Sequence, residues 1–95
     1  MNIQDFDIKI KKYDKKKNLV IVNVLVQGEI EIRGFTVRYT TTKYSPSIPI
    51  WLASPPCIKG RLRTYFWIVE FKDPALWQLL EQKIITSAKE YTDIL

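Results

Sequence analysis

An almost unbroken apolar run, Leu19 to Val26, sets the limits on how this chain can fold. The run is rich in β-branched residues, which favour strands. A strand with one wet face alternates apolar and polar residues, so a continuous run is typical of a strand covered on both faces. A chain of 95 residues can bury one such core. We therefore predict a single domain over residues 1–95, with a central strand covered within the subunit or by a second subunit.

A change of parity marks the next strand. Ile30 and Ile32 share one face of an extended chain, whereas Phe35 and Val37 fall on the other face. One extra residue in a strand shifts the side chains that follow it to the opposite face. We therefore predict a β-bulge at Gly34, which would restore a single apolar face.

The other segments carry weaker signals. Alternating apolar residues predict a strand around Ile8–Ile10, followed by a charged loop that ends at Asn18. Thr40–Pro49 is predicted to be irregular because of its Ser and Pro residues. Strands are predicted over Ile50–Ala53 and Leu62–Phe71.

The C-terminal part predicts one helix. Asp73 can accept from the free amides of a first turn, and Pro74 suits the first helical position. We expect the helix to run to about Tyr91, with its apolar stripe against a sheet. The stripe consists of Leu76, Leu80, Ile84 and Ala88, with Trp77 and Tyr91 beside them. The predicted fold class is α+β: an antiparallel sheet of about five strands, followed by one C-terminal helix packed on it.

The charge distribution points to a polyanionic partner. The formal net charge is +5, and between Ile32 and Val69 six basic residues occur without any Asp or Glu. Aromatic residues are set among them. A surface that offers cations together with flat rings fits nucleic acid, because phosphates take the charges and bases stack on rings. The basic residues are Arg33, Arg38, Lys43, Lys59, Arg61 and Arg63, and the aromatic ones include Tyr39, Tyr44, Trp51, Tyr65 and Trp67.

The first candidate site is the basic segment from Lys59 to Arg63. Gly60 allows a protruding turn, and Arg61 and Arg63 would project from the same side of a strand toward successive phosphates. They could equally form a solubilising rim that pairs with the acidic residues near position 30. Lys15–Lys17 is a second candidate, although a lysine run in a hairpin loop is usually just solvated.

Several function classes are disfavoured. The chain has no His, so the common proton-transfer residue and the usual zinc ligands are missing, and we expect no enzyme activity, metal, cofactor or small-molecule substrate. The single Cys57 cannot form an internal disulfide, which suits a reducing cytoplasm. No stretch approaches the roughly 18 apolar residues of a membrane span, so no membrane association is expected.

Short motifs over Ile30–Leu80 resemble the stage V sporulation protein G (SpoVG) family of small bacterial DNA- and RNA-binding regulators. Residues 34–38 resemble the end of a family strand, and Ile50–Pro55 resembles its hydrophobic strand that runs into Ala-x-Pro-Ser. The opening Phe6–Ile10 is similar to its first strand. A basic connection, another strand and a C-terminal helix follow in the same order.

The resemblance implies a homodimer formed through sheet edges, with nucleic acid contacted by the basic connection. That connection corresponds to Lys59, Arg61 and Arg63 here. The chain departs from the family in three ways: Cys57-Ile58 stand where basic residues are common, the connection is shorter, and Tyr65–Trp67 is more aromatic.

From these observations we expect a cytoplasmic, homodimeric protein that binds DNA or RNA with little sequence specificity. Arg38 and Lys43 would meet phosphates beside the basic connection, and Tyr65 would stack on bases. The alternative is a protein-interaction module or a structural dimer that uses its sheet edges and has no nucleic-acid role.

Overall fold

The computed structural model describes residues 2–59, 65–67 and 69–94, with side chains over 2–58 and 69–92. Within this described part of the chain, a short 3₁₀ helix precedes six strands and one helix. The elements are the 3₁₀ helix Ile3–Asp5, β1 Phe6–Asp14, β2 Leu19–Val26, β3 Ile30–Thr42, β4 Ser45–Ser54, β5 Cys57–Lys59, β6 Tyr65–Trp67 and α1 Pro74–Ile94.

The four long strands form one antiparallel sheet in the order β1-β2-β3-β4, so each strand pairs with its neighbours in sequence. Strands β5 and β6 form a separate antiparallel pair, with Lys59 opposite Tyr65. The helix α1 follows them and packs on the four-stranded sheet. The predicted α+β fold class, a sheet followed by one C-terminal helix, is confirmed.

The core lies between one face of the sheet and α1. In β2, Val20, Val22, Val24 and Val26 are buried, and they belong to one cluster with Leu80, Ile84 and Ala88 of the helix. The alternate residues Leu19, Ile21, Asn23 and Leu25 are only half-buried. We call the face of the sheet that points away from the helix the outer face. The prediction that both faces of β2 are covered is therefore confirmed for the face under the helix and only in part for the outer face.

The bulge predicted at Gly34 is confirmed. The register between β2 and β3 shifts between Val22 and Val24, and Gly34 has a φ of +98°. A side chain is strained at such a φ, so glycine suits the position. The shift puts Ile32 and Phe35 on the same side of the sheet, where both contact the core.

Two strand predictions are wrong in part. Thr40–Pro49 is predicted to be irregular, but β3 continues to Thr42 and β4 begins at Ser45. The predicted irregularity is present as a shift of register between the pairs Thr40–Ile50 and Thr42–Ser45. This segment can be extended because β4 is an edge strand, where proline need not donate to a neighbour.

Of the strand predicted over Leu62–Phe71, the described residues contain β6, Tyr65–Trp67. Residues 62–64 and 68 lie outside the described residues. Val69 to Phe71 are not in a strand. Instead, the ring of Phe71 packs against the rings of Phe35 and Trp77, which draws this segment toward the core ahead of the helix.

The helix begins as predicted. A carboxylate oxygen of Asp73 accepts from the amide of Ala75 at 3.0 Å, and α1 starts at Pro74. It continues to Ile94, three residues beyond the predicted end. Leu80, Ile84 and Ala88 of the predicted stripe are fully buried. Near the middle of the helix, the Lys83 ammonium donates to the backbone carbonyl of Phe6, which ties α1 to the start of β1.

Replacing Leu80 by Ala should lower the free energy of unfolding by roughly 2–5 kcal/mol, because the side chain is fully buried and its removal leaves a cavity. The matched control is Leu79→Ala, one position earlier in the helix, where the side chain is 55% exposed. Urea denaturation followed by circular dichroism measures both variants. Equal losses in the two would contradict the packing of α1 on the sheet.

Candidate nucleic-acid interface

One end of the sheet collects two turns and the last turn of the helix. The β1–β2 turn carries Lys15–Lys17, and the β3–β4 turn consists of Lys43 and Tyr44. Tyr91 of α1 meets Tyr13 of β1 beside the first turn, with ring centroids 6.4 Å apart. We call this region the basic end; its residues are Lys15, Lys16, Lys17, Arg38, Lys43 and the aromatic residues Tyr39, Tyr44 and Trp51.

The opposite end of the sheet is acidic. The amide of Gln27 in the β2–β3 turn donates to the carbonyl of Asp5 at 2.6 Å, so the 3₁₀ helix and this turn lie together. Asp7 and Glu31 both stand opposite Leu25 from the two sides of β2, and Glu29 is in the adjoining turn. Acidic side chains are therefore concentrated at this end, where Glu31 also pairs with Arg33 at 3.0 Å, and Asp14 is the acidic residue of the strands that lies at the other end.

The lysine turn is held by the side chain of Asp14. A carboxylate oxygen of Asp14 accepts from the amides of Lys16 and Lys17 at 3.1 and 3.3 Å. Asn18 closes the turn with a φ of +50°, a conformation that asparagine tolerates better than most residues. Since the Asp14 carboxylate caps the turn, the three lysine side chains are left exposed on the surface.

Strand pairing brings the lysine turn next to β3. Leu19 pairs with Arg38, and the amide of Tyr39 donates to the carbonyl of Asn18 at 3.3 Å. Arg38 is exposed on the outer face, whereas Tyr39 points to the helix side. The sequence predicted Arg38 as a phosphate contact and ranked Lys15–Lys17 lower; the structure places them side by side.

Beyond this point, β3 and β4 continue as an arm, residues Thr40–Ile50, in which Thr40 pairs with Ile50 and Thr42 with Ser45, with a shift of register between the two pairs. From Arg38 to Lys43 the strand covers five residues at about 3.3 Å each, or roughly 17 Å. The hydroxyl oxygen of Thr42 accepts from the amides of Tyr44 and Ser45 at 3.2 and 3.1 Å, which fixes the tip. The predicted phosphate contact Lys43 is therefore exposed at the tip of a defined arm.

Several aromatic rings of the basic end are open to solvent. Tyr44 is 86% exposed at the tip of the arm, and the Lys43 ammonium lies 5.0 Å from its ring centroid. Tyr39 is 41% exposed and packs on the half-buried Trp51, with centroids 5.1 Å apart. The Lys89 ammonium of α1 lies 6.0 Å from the centroid of Trp51. Cations and rings thus alternate over this surface, as stacking and phosphate binding require.

Most of the first candidate site falls outside the described part of the chain. Lys59 and Tyr65 are the paired ends of β5 and β6, but their side chains are not described, and Arg61 and Arg63 lie outside the described residues altogether. The β5–β6 pair follows Pro56, whose side chain lies beside the Gly34 bulge, where a Cβ on residue 34 would stand 3.7 Å from it. Of the six predicted site residues, the structure brings Arg38 and Lys43 to the basic end. The roles of the other four, Lys59, Arg61, Arg63 and Tyr65, stay predictions from the sequence.

The residues described by the structure contain no cluster of three or more His, Cys, Asp or Glu side chains that could hold a metal ion. Among the described residues, no helix is both long enough and apolar enough to cross a membrane. Comparison with family models, with curated proteins and with solved structures finds no match to this chain. Its likeness to the SpoVG family stays a prediction from sequence motifs.

Replacing Thr42 by Val should loosen the tip of the arm, because Val keeps the shape of Thr but lacks the oxygen that accepts from Tyr44 and Ser45. We expect amide exchange at these two residues to speed up about five-fold or more, from the loss of hydrogen bonds of about 1 kcal/mol each. Thr41→Val is the matched control. Hydrogen exchange measured by NMR tests this, and unchanged rates in Thr42→Val would contradict the described tip.

Proposed function

We propose that this protein binds DNA or RNA through the basic end, with little sequence specificity, and that it does so as a homodimer in the cytoplasm. The observation that supports this most is the convergence of two turns and an arm on one end of the sheet. Lys15–Lys17, Arg38 and Lys43 line this end, while Asp5, Asp7, Glu29 and Glu31 lie at the other end. A surface divided in this way orients a polyanion toward one end of the molecule.

The residue types favour contact with the backbone of the nucleic acid. A lysine ammonium is a mobile point charge that meets phosphates without reading bases. Four of the five cations are lysines, and all five are exposed. We therefore expect salt-sensitive binding whose strength changes little with sequence.

The exposed rings favour single strands over duplexes. Bases in a single strand can leave the stack and lie on an aromatic side chain, which adds about 1–3 kcal/mol per base. Tyr44 is the ring best placed for this, because it stands at the tip of the arm beside Lys43. By sequence, Tyr65 and the cations Lys59, Arg61 and Arg63 of the β5–β6 connection would supply a further contact.

The homodimer is supported by apolar residues that the single chain leaves open. Ile48, Ile50 and Leu52 of β4 are 69%, 38% and 39% exposed. On the edge of the sheet, Pro46 and Pro49 interrupt pairing in the first half of β4, whereas Ile50–Ser54 contains no proline. The second half of β4 is thus the edge best suited to a second copy. The exposed Cys57, free of any disulfide, suits a reducing compartment.

The same apolar residues favour a second candidate function, a protein-interaction module. Here β4 would accept a strand of another protein, and the lysines would only keep the surface hydrated. The two functions differ in the salt dependence of binding to labelled oligonucleotides. Absence of binding at low salt would favour the interaction module.

Replacing Lys16 and Lys17 together by Ala should flatten the salt dependence of binding to single-stranded DNA. Each lost phosphate contact lowers the log–log slope by about 0.7, so the pair should remove roughly 1.4. The control Lys9→Ala/Lys72→Ala also removes two positive charges, one from the middle of the sheet and one from the segment before α1. Fluorescence anisotropy over a salt series gives the slopes. If the control flattened the slope as much, binding would follow net charge and not the basic end.

The double substitution Arg61→Ala/Arg63→Ala tests the contact that the sequence predicted. If both guanidiniums meet phosphates, the slope should again fall by about 1.4 while the unfolding transition is unchanged. The same anisotropy series measures it. Unaltered affinity and slope would remove these arginines from the interface and leave the basic end as the contact surface.

A further inference from the structure

A small cleft lies at the centre of the basic end, between the β1–β2 turn, the start of the arm and the last turn of α1. Its accessible volume is about 100 Å³. A closed cavity of about 150 Å³ holds one benzene ring, so an open cleft of this size fits the edge of a single planar ring and excludes a large cofactor. The lining residues are Tyr13, Asn18, Val20, Tyr39, Trp51 and Thr92.

The walls of the cleft are fixed by contacts within the fold. The buried Val20 forms its floor, and Tyr39 and Trp51 pack on each other at one side. Tyr13 is held edge-on by Tyr91, at an interplanar angle of 83°. The cleft is therefore present before any ligand arrives, which reduces the entropy lost on binding.

The lining combines ring faces with one amide. The backbone N–H of Asn18 donates to the carbonyl of Lys15, and its own carbonyl accepts from the amide of Tyr39. The side chain of Asn18 is exposed at the rim of the cleft. An asparagine amide offers donors and an acceptor together, which matches the hydrogen-bonding edge of a base. The flat neighbours Tyr39 and Trp51 suit the face of the same base.

The charges around the cleft match the rest of a nucleotide. Lys15–Lys17 precede Asn18 directly. Arg38 precedes Tyr39 but lies on the outer face of the sheet, so it does not border the cleft. On the far side, the Lys89 ammonium lies over Trp51. A planar group in the cleft would thus have cations on two sides where its flanking phosphates would lie.

We infer that this cleft receives one unpaired nucleobase of the bound strand, held by the amide of Asn18 and by the rings of Tyr39 and Trp51. The inference rests on the proposed function, since it assigns a base-binding role within the same surface. Phosphate binding and base binding would then be carried out by different residues. The lysines bind phosphates of any strand, whereas the cleft accepts only a base that is free to leave its partner.

The test is Asn18→Gly, because glycine accepts the φ of +50° and removes only the side chain. Affinity for single-stranded DNA should fall about ten-fold, as expected for the loss of a bidentate contact to a base. Affinity for duplex DNA and the salt slope should not change. The matched control is Gln27→Gly, which removes an amide at a φ of +54° in the turn at the acidic end and should leave all affinities unaltered.

A second measurement does not depend on that variant. Single-stranded DNA should quench the tryptophan fluorescence of the wild-type protein, and Trp51→Phe should abolish most of the quenching. Unchanged single-strand affinity in Asn18→Gly, or full quenching in Trp51→Phe, overturns the base-binding cleft. In that case a flattened slope in Lys16→Ala/Lys17→Ala would still uphold the proposed function, whereas a wild-type protein that binds no nucleic acid overturns both.

Discussion

Burial of the valine row of β2 beneath α1 is the interaction on which the rest of the structure depends. Val20, Val22 and Val24 are fully buried against Leu80, Ile84 and Ala88, so both the rotation of β2 and the position of the helix are determined. A shift of β2 by one residue would put Asn23 into the core. The position of β2 in turn fixes its pairing with β1 and β3. The lysine turn lies beside Arg38 because this register allows no other neighbour.

The register also explains why the surface has two unlike ends. In a meander of antiparallel strands, successive turns fall at opposite ends of the sheet, so the first and third turns share one end. The first and third turns of this sheet carry lysines, and the second turn carries Glu29 and adjoins Asp5. Lysines that are far apart in the sequence are thereby brought to one end of the sheet. The arm then carries Lys43 and Tyr44 away from the body of the sheet.

Much of the fold could be predicted from the sequence because its signals are local. The apolar run of β2, the parity change at Gly34 and the Asp73-Pro74 helix start each lie within a few residues. Thr40–Pro49 was harder, because prolines read as interruptions unless the strand is known to be an edge. The basic end depends on pairing: Lys15–Lys17 and Arg38 are about twenty residues apart, and only the β2–β3 register brings them together.

The same reasoning explains why the cleft had no signal in the sequence. By sequence, Tyr39 and Trp51 are strand aromatics that could stack on bases or fill a dimer interface, Tyr13 belongs to the predicted charged loop, and Asn18 is an ordinary turn residue. Their common surface arises because β3 continues past Leu19, the first residue of β2, so that Tyr39 and Trp51 lie beyond the buried row that ends at Val20. Tyr13, which pairs with Val20, borders them from β1. The last turn of α1 covers part of this gap and leaves the remainder open. A mismatch in strand length thus converts core-type side chains into an accessible aromatic surface, at the end of the sheet where the cations gather.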